Sequence, residues 1–143
     1  MTAIPARLRR LVVRRARNRC EYCGLSQAGQ EATFHADHVF PRADGGPTDL
    51  GNLALACVSC SLRKEARTAV PDPETGRLVP LFNPRRQRWN SHFLWDGVRV
   101  VGTSASGRAT VAALQMNRPL VLSIRKEEAK LGRHPPPEES DAD

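Results

Sequence analysis

Two Cys-x-x-Cys pairs, Cys20/Cys23 and Cys57/Cys60, constrain this chain more than any other feature. Thiolates at positions i and i+3 of a tight turn can both reach one ion, and two such turns supply the four soft ligands that tetrahedral zinc prefers. Gly24, directly after the second cysteine, allows the tight backbone of such a knuckle. The separation of the pairs exceeds that of a zinc ribbon, which fits a hairpin inserted between two knuckles. Rival uses of four cysteines are two disulfides, a redox dithiol or an iron-sulfur cluster. Arginines interrupt the N-terminus, which has no apolar signal segment, so a reducing, cytoplasmic setting is expected rather than disulfides. A redox dithiol needs only one pair in a βαβ setting, which nothing here suggests. Structural zinc on all four cysteines is the reading the spacing favours, and by itself it implies folding rather than catalysis.

The hydrophobic share is 40% and the aromatic share 5%, so a metal staple would supplement a modest core. Net charge is +7 over 143 residues, and its distribution matters more than its sum. Arginine occupies positions 7, 9, 10, 14, 15, 17 and 19 with no acid before Cys20, whereas Glu138, Glu139, Asp141 and Asp143 make the C-terminus acidic. A folded body with excess arginine attracts a polyanion, and nucleic acid is the expected partner, against the plainer alternative of a basic, soluble surface. No stretch is long and apolar enough to cross a bilayer.

Periodicity places a helix at about Pro5 to Arg17, a strand over Thr33 to Phe40 ended by Pro41, and a short return at Asn52 to Leu55. A helix is expected from Cys57 to Arg67 and a connector from Val70 to Pro80. His92 to Trp95 and Val98 to Val101 read as a hairpin on an Asp96-Gly97 type I′ turn. Two helices follow, at about 107–116 and 119–131, the second opened by Pro119 and closed by Gly132. The expected organisation is a single domain over 1–132, with a finger core at 18–67, an accessory hairpin and helices at 81–132, and a disordered acidic tail at 133–143.

The segment resembles the HNH endonucleases, nucleases built on a ββα-metal finger. The resemblance rests on Cys20-Glu21-Tyr22-Cys23-Gly24, Asp37-His38-Val39-Phe40-Pro41-Arg42, Gly45-Gly46, Asn52-Leu53, Cys57-Val58-Ser59-Cys60 and Lys64, in that order. It implies a zinc-stapled ββα-metal finger, and with the N-terminal Arg-rich helix and the C-terminal β-hairpin plus two helices read above, the expected fold is α+β. It also implies a metal-dependent endonuclease that hydrolyses DNA phosphodiester bonds to 5′-phosphate and 3′-hydroxyl ends. His38 is then the general base, Asp37 a ligand of Mg²⁺ or another divalent ion, and Asn52 the residue that ties the loop and orients the base.

Each role has a plainer alternative: a half-buried strand histidine, a turn acid and a turn amide. Asp37 and His38 point to opposite faces of a regular strand, so one site can use both only where the strand ends or bulges. His35 shares a face with Asp37 and is the runner-up ligand. The family's usual His or Asn after the fourth cysteine is Ser61 here. A hydroxyl is a poorer ligand, and Ser61, water alone, Glu65 or His92 are the successive candidates to complete the site. Ser61 therefore keeps open an alternative, a weakly active or inactive zinc-dependent nucleic-acid-binding module. Arg42 and Lys64 are the expected phosphate contacts. The chain is expected to act as a monomer or homodimer, without a membrane.

Overall fold

Residues 4–138 are described by the computed structural model. Helix α1, Ala6–Arg15, follows Pro5, which serves as its N-cap. It buries Val12 and packs Leu8, Val13 and Ala16 on the core. It ends earlier than expected because Arg17 and Asn18 adopt positive φ, 55° and 59°. Several of its arginines act as staples. Arg9 Nη2 donates to the Phe34 carbonyl at 2.8 Å and Arg15 Nη1 to that of Leu50 at 2.7 Å, tying the helix to the finger.

Strand β1, His35–His38, pairs antiparallel with β2, Leu53–Ala56, setting His35 opposite Ala56, Asp37 opposite Ala54 and His38 opposite Leu53. All four residues of β2 are buried, since α1 and helix α2, Val58–Lys64, both pack on it. Helix α2 is capped by the Cys57 sulfur, which accepts from the Cys60 amide. It stops at Lys64 rather than Arg67 because Glu65 takes φ +52°. These elements are the two strands and helix of the finger.

The expected connector after α2 is instead a hairpin, β3 (Ala69–Pro71) with β4 (Leu78–Pro80). Its prolines are tolerated because the ribbon has only two strands, so no further ladder needs their missing N–H groups. Asp72 holds the turn, accepting from the Glu74 amide at 3.0 Å and from Arg108 Nη2 at 2.9 Å. The second expected hairpin is present as β5 (Phe93–Asp96) and β6 (Arg99–Gly102). Asp96 pairs with Arg99, so the two turn residues are Gly97 and Val98 rather than Asp96 and Gly97. Gly97, at φ +62°, is the positive-φ residue at the first central position, the type II′ arrangement.

Helix α3, Ala105–Ala113, is capped by Ser104, whose Oγ accepts from the Gly107 amide at 2.9 Å. Helix α4, Pro119–Lys130, opens on proline and is followed by Gly132 at φ +75°. Its Arg125 is 1% exposed, lies 5.1 Å from the Trp95 ring centroid and donates to the Val98 carbonyl at 2.9 Å. Trp89 Nε1 donates to the Tyr22 carbonyl at 2.8 Å. One apolar cluster accordingly joins Val12, the knuckle cysteines and Leu53 to Phe82, Phe93, Leu114 and Met116. The architecture is α+β, with small antiparallel sheets and a four-cysteine cluster.

The segment expected as a disordered tail from 133 is placed as far as Glu138. Arg133 pairs with Glu128 at 2.7 Å, and the His134 ring packs edge-on against Trp95, 4.7 Å between centroids. Residues 139–143, with Glu139, Asp141 and Asp143, lie outside the described residues.

Candidate functional site

The four cysteine sulfurs all lie within 4.8 Å of one another, and Cys23 Sγ is 3.7 Å from Cys57 Sγ. Metal–sulfur bonds of about 2.3 Å in a tetrahedron give sulfur–sulfur edges of about 3.8 Å, whereas a disulfide bond is about 2.05 Å. No disulfide forms, and all four thiols are buried. The Cys23 and Cys60 amides point at the sulfurs of Cys20 and Cys57, each at 3.4 Å, the backbone arrangement of two matching knuckles. Burial pushes the Cys20 thiol up, and hydrogen bonding to Cys20 and the other thiols pushes Cys60 up, while the same contacts lower Cys23. A buried, all-sulfur set of four mutually close donors fits zinc.

His38 is the last residue of β1, and its Nε2 lies 2.8 Å from Thr48 Oγ1 across the loop. Its pKa is lowered, first by burial and then by the Arg42 guanidinium, with Lys64 adding to this and Asp37 opposing it. The ring is therefore held toward its neutral form. Thr48 was not singled out by sequence reasoning; a hydroxyl in the loop between Gly46-Pro47 and Asn52 carries no motif of its own.

Asn52 ties that loop. Its Oδ1 accepts from the Phe40 amide at 2.9 Å, and its Nδ2 donates to the carbonyls of Phe40 at 3.0 Å and Pro47 at 2.9 Å. Gly46 is required beneath it, since a Cβ there would lie 1.9 Å from the Phe40 carbonyl oxygen. Asn52 makes no hydrogen bond to the His38 ring. The ring contact is made by Thr48 instead, and both Asn52 amide hydrogens are spent on the carbonyls of Phe40 and Pro47.

Asp37 faces the other way, toward α2. Its Oδ2 lies 3.2 Å from Lys64 Nζ, and the side chain keeps 18% exposure. The ion pair is not an aligned hydrogen bond, and Oδ2 stands buried without a hydrogen-bond partner. Burial raises the Asp37 pKa, opposed by Lys64, His38 and His35. The Tyr22 hydroxyl is likewise buried and unpaired; burial first, and then Asp37, push it well above its ordinary value. Asp37 and His38 thus lie on opposite sides of β1, as regular pleating demands, at the point where the strand ends.

Lys64, expected to contact phosphate, is corrected by its burial. It is 1% exposed, and Nζ is spent on Asp37 and on the His38 carbonyl oxygen at 3.0 Å. Arg42 remains at the exposed surface beside His38.

Ser61 Oγ lies 2.9 Å from His35 Nδ1, so the hydroxyl in the family's ligand position engages a strand histidine. Glu65 lies just past the end of α2, exposed and with φ +52°, rather than one turn along the helix face as expected. His92 belongs to the accessory half, bonded to Ser104 Oγ at 2.6 Å and packed against Phe82.

A family model described as HNH endonuclease matches residues 20–67, about a third of the chain. No curated protein and no solved structure matches. Among the described residues no helix is long and apolar enough to cross a membrane. With its paired strands, its helix and its four-cysteine cluster, the segment 20–67 matches the HNH endonuclease family, a match that points to a nuclease-type or nucleic-acid-binding function.

Proposed function

We propose that the protein is a metal-dependent HNH endonuclease that hydrolyses DNA phosphodiester bonds, with His38 as general base and Asp37 as a ligand of the divalent ion. The observation that carries this reading is the His38 imidazole, biased to the neutral form and fixed by Thr48 at the end of β1. When Nε2 donates to Thr48 Oγ1, Nδ1 holds the lone pair and can take a proton from water. The water oxygen then bonds to phosphorus, the bond from phosphorus to the 3′ oxygen breaks, and that oxygen leaves with a proton as a 3′-hydroxyl, opposite a 5′-phosphate. Asp37 offers a carboxylate, an oxygen donor that fits Mg²⁺ or Mn²⁺. When bound, such an ion supplies positive charge to the phosphate and the leaving oxygen. Arg42 is assigned to hold the DNA backbone beside His38.

A second reading, a zinc-dependent nucleic-acid-binding module, draws on the Lys64–Asp37 ion pair, which already neutralises the carboxylate the ion needs. Supercoiled plasmid with Mg²⁺ or Mn²⁺ separates the two. Nicking by the zinc-loaded protein and none by His38→Ala, with DNA binding intact in both, supports the nuclease. Equal nicking by both proteins, or binding without nicking by either, overturns it.

A further inference from the structure

We propose that His35, rather than Ser61, is the side chain that joins Asp37 in holding the divalent ion, and that Ser61 is the positioning residue that orients the His35 ring. This inference rests on the nuclease reading of Asp37 and His38 and names the second ligand of that same site.

The placement follows from the strand register. His35 and Asp37 are two residues apart on β1 and share one face, whereas His38 turns to the other. Their cross-strand partners are Ala56 and Ala54, so this face of the hairpin is floored by methyl groups, and α2 lies over it with Ser61 and Lys64 directed at β1. No longer side chain from β2 stands between the imidazole and the carboxylate.

The chemistry of the Ser61 contact points the same way. A histidine that ligates a metal nearly always donates its other ring N–H to an oxygen acceptor, which fixes the tautomer and the ring orientation. Ser61 Oγ sits 2.9 Å from His35 Nδ1, and the His35 ring makes no other hydrogen bond among the described residues. With Nδ1–H donating to Ser61, the lone pair resides on Nε2 of an exposed ring. The imidazole usually supplied after the fourth cysteine is in this way moved across to the strand, and the hydroxyl left on the helix takes the supporting role. A carboxylate with an imidazole is also a softer donor set than oxygen alone, and favours Mn²⁺ and later transition ions over Mg²⁺.

Mn²⁺ binding by the zinc-loaded full chain tests this without relying on turnover. Titration followed by the free-ion electron paramagnetic resonance signal gives affinity, and electron spin-echo modulation reports a directly bound imidazole nitrogen. The expected results are binding by wild type with a nitrogen signature, loss of both binding and nicking in Asp37→Asn, and weakening of about 10-fold or more with loss of the signature in His35→Ala. His38→Ala is expected to keep both the affinity and the signature. Ser61→Ala is expected to weaken binding alone but to add nothing in the His35→Ala background, because the two residues act through one bond. Zinc content and circular dichroism confirm that each variant is folded. If Asp37→Asn abolishes Mn²⁺ binding while His35→Ala leaves affinity and signature unchanged, the assignment of His35 is overturned and the nuclease reading stands. Additive losses from His35→Ala and Ser61→Ala overturn the positioning role. If wild type neither binds Mn²⁺ nor nicks DNA with any divalent ion, both readings fall together.

Discussion

Lys64 Nζ lies 3.2 Å from Asp37 Oδ2 and is sealed beneath the finger with 2% of its side chain exposed. A buried lysine is stable only where its charge is matched, so this pair fixes α2 against β1 by electrostatics as well as by packing. It also places a permanent cation behind the carboxylate that is proposed to hold a divalent ion. Lys64→Met leaves Asp37 without its counter-charge, and the expected loss of stability is about 3–5 kcal/mol. Asp37→Asn combined with Lys64→Met should recover much of that loss, because neither charge is then stranded. Urea unfolding of the zinc-loaded proteins measures both values; a single-variant cost below about 1 kcal/mol contradicts the pairing.

Thr48 is expected to matter through the His38 ring alone. Thr48→Val preserves shape and removes the oxygen bonded to Nε2, so plasmid nicking should fall on the order of 10-fold while DNA affinity holds. Thr48→Ser should retain most of the rate. Unchanged nicking in Thr48→Val would show that the ring is oriented by something else.

The acid limb of kcat/KM should lie below the ordinary imidazole value of about 6.5. Burial and Arg42 both lower the His38 pKa, and the reaction needs the neutral ring, so activity persists to lower pH than an unperturbed histidine would allow. Arg42→Gln removes one lowering influence and should shift that limb upward. The same depression makes protonation of His38 unfavourable to the fold. Its stabilising contribution is complete above the unfolded pKa and is lost as pH falls through the lower folded value. A limb that moves downward in Arg42→Gln would sink this account.

Asn52→Ala removes three hydrogen bonds at once, to the Phe40 amide and to the carbonyls of Phe40 and Pro47. Each buried group left unpaired costs about 1–3 kcal/mol, so a fall in Tm is expected together with loss of nicking. Asn52→Asp should do little better, since a carboxylate can accept from the Phe40 amide but cannot donate to either carbonyl. Proteolysis within residues 41–49 offers a local readout, and a loop as protected as in wild type would refute the tie.

Removal of zinc should unfold far more than the knuckles. The four cysteines belong to the same apolar cluster as Val12, Phe82 and Leu114, and Arg125 of α4 donates to the Cys23 carbonyl. Chelation, or Cys57→Ser, is expected to abolish cooperative unfolding, with one zinc per chain lost in parallel and no rescue by Mg²⁺. Retention of native circular dichroism after complete zinc loss would contradict this.

The finger was legible because its information is local and chemical. Paired cysteines announce a metal knot, period-two alternation announces β1, and Asp37-His38 followed by Gly45-Gly46 and Asn52 announces a strand, loop and return. The β3–β4 hairpin was hidden because its three prolines argue against a strand, and only the two-strand ribbon makes them tolerable. The hairpin turn was displaced by one residue because Asp-Gly fits a type I′ turn, whereas the register pairs Asp96 with Arg99.

The sequence by itself determined the α+β finger, the four-cysteine set and the short group of residues, Asp37, His38 and Asn52, on which the proposed chemistry is built. Only the tertiary structure decided which neighbours those residues have. Lys64 reads as an exposed phosphate contact along the chain but becomes a buried counter-ion once α2 packs on β1. His38 is oriented by Thr48, and Ser61 meets His35. Ligand types and spacing are written in the order of residues, but burial and hydrogen-bond partners arise from segments distant in sequence, which no local pattern records.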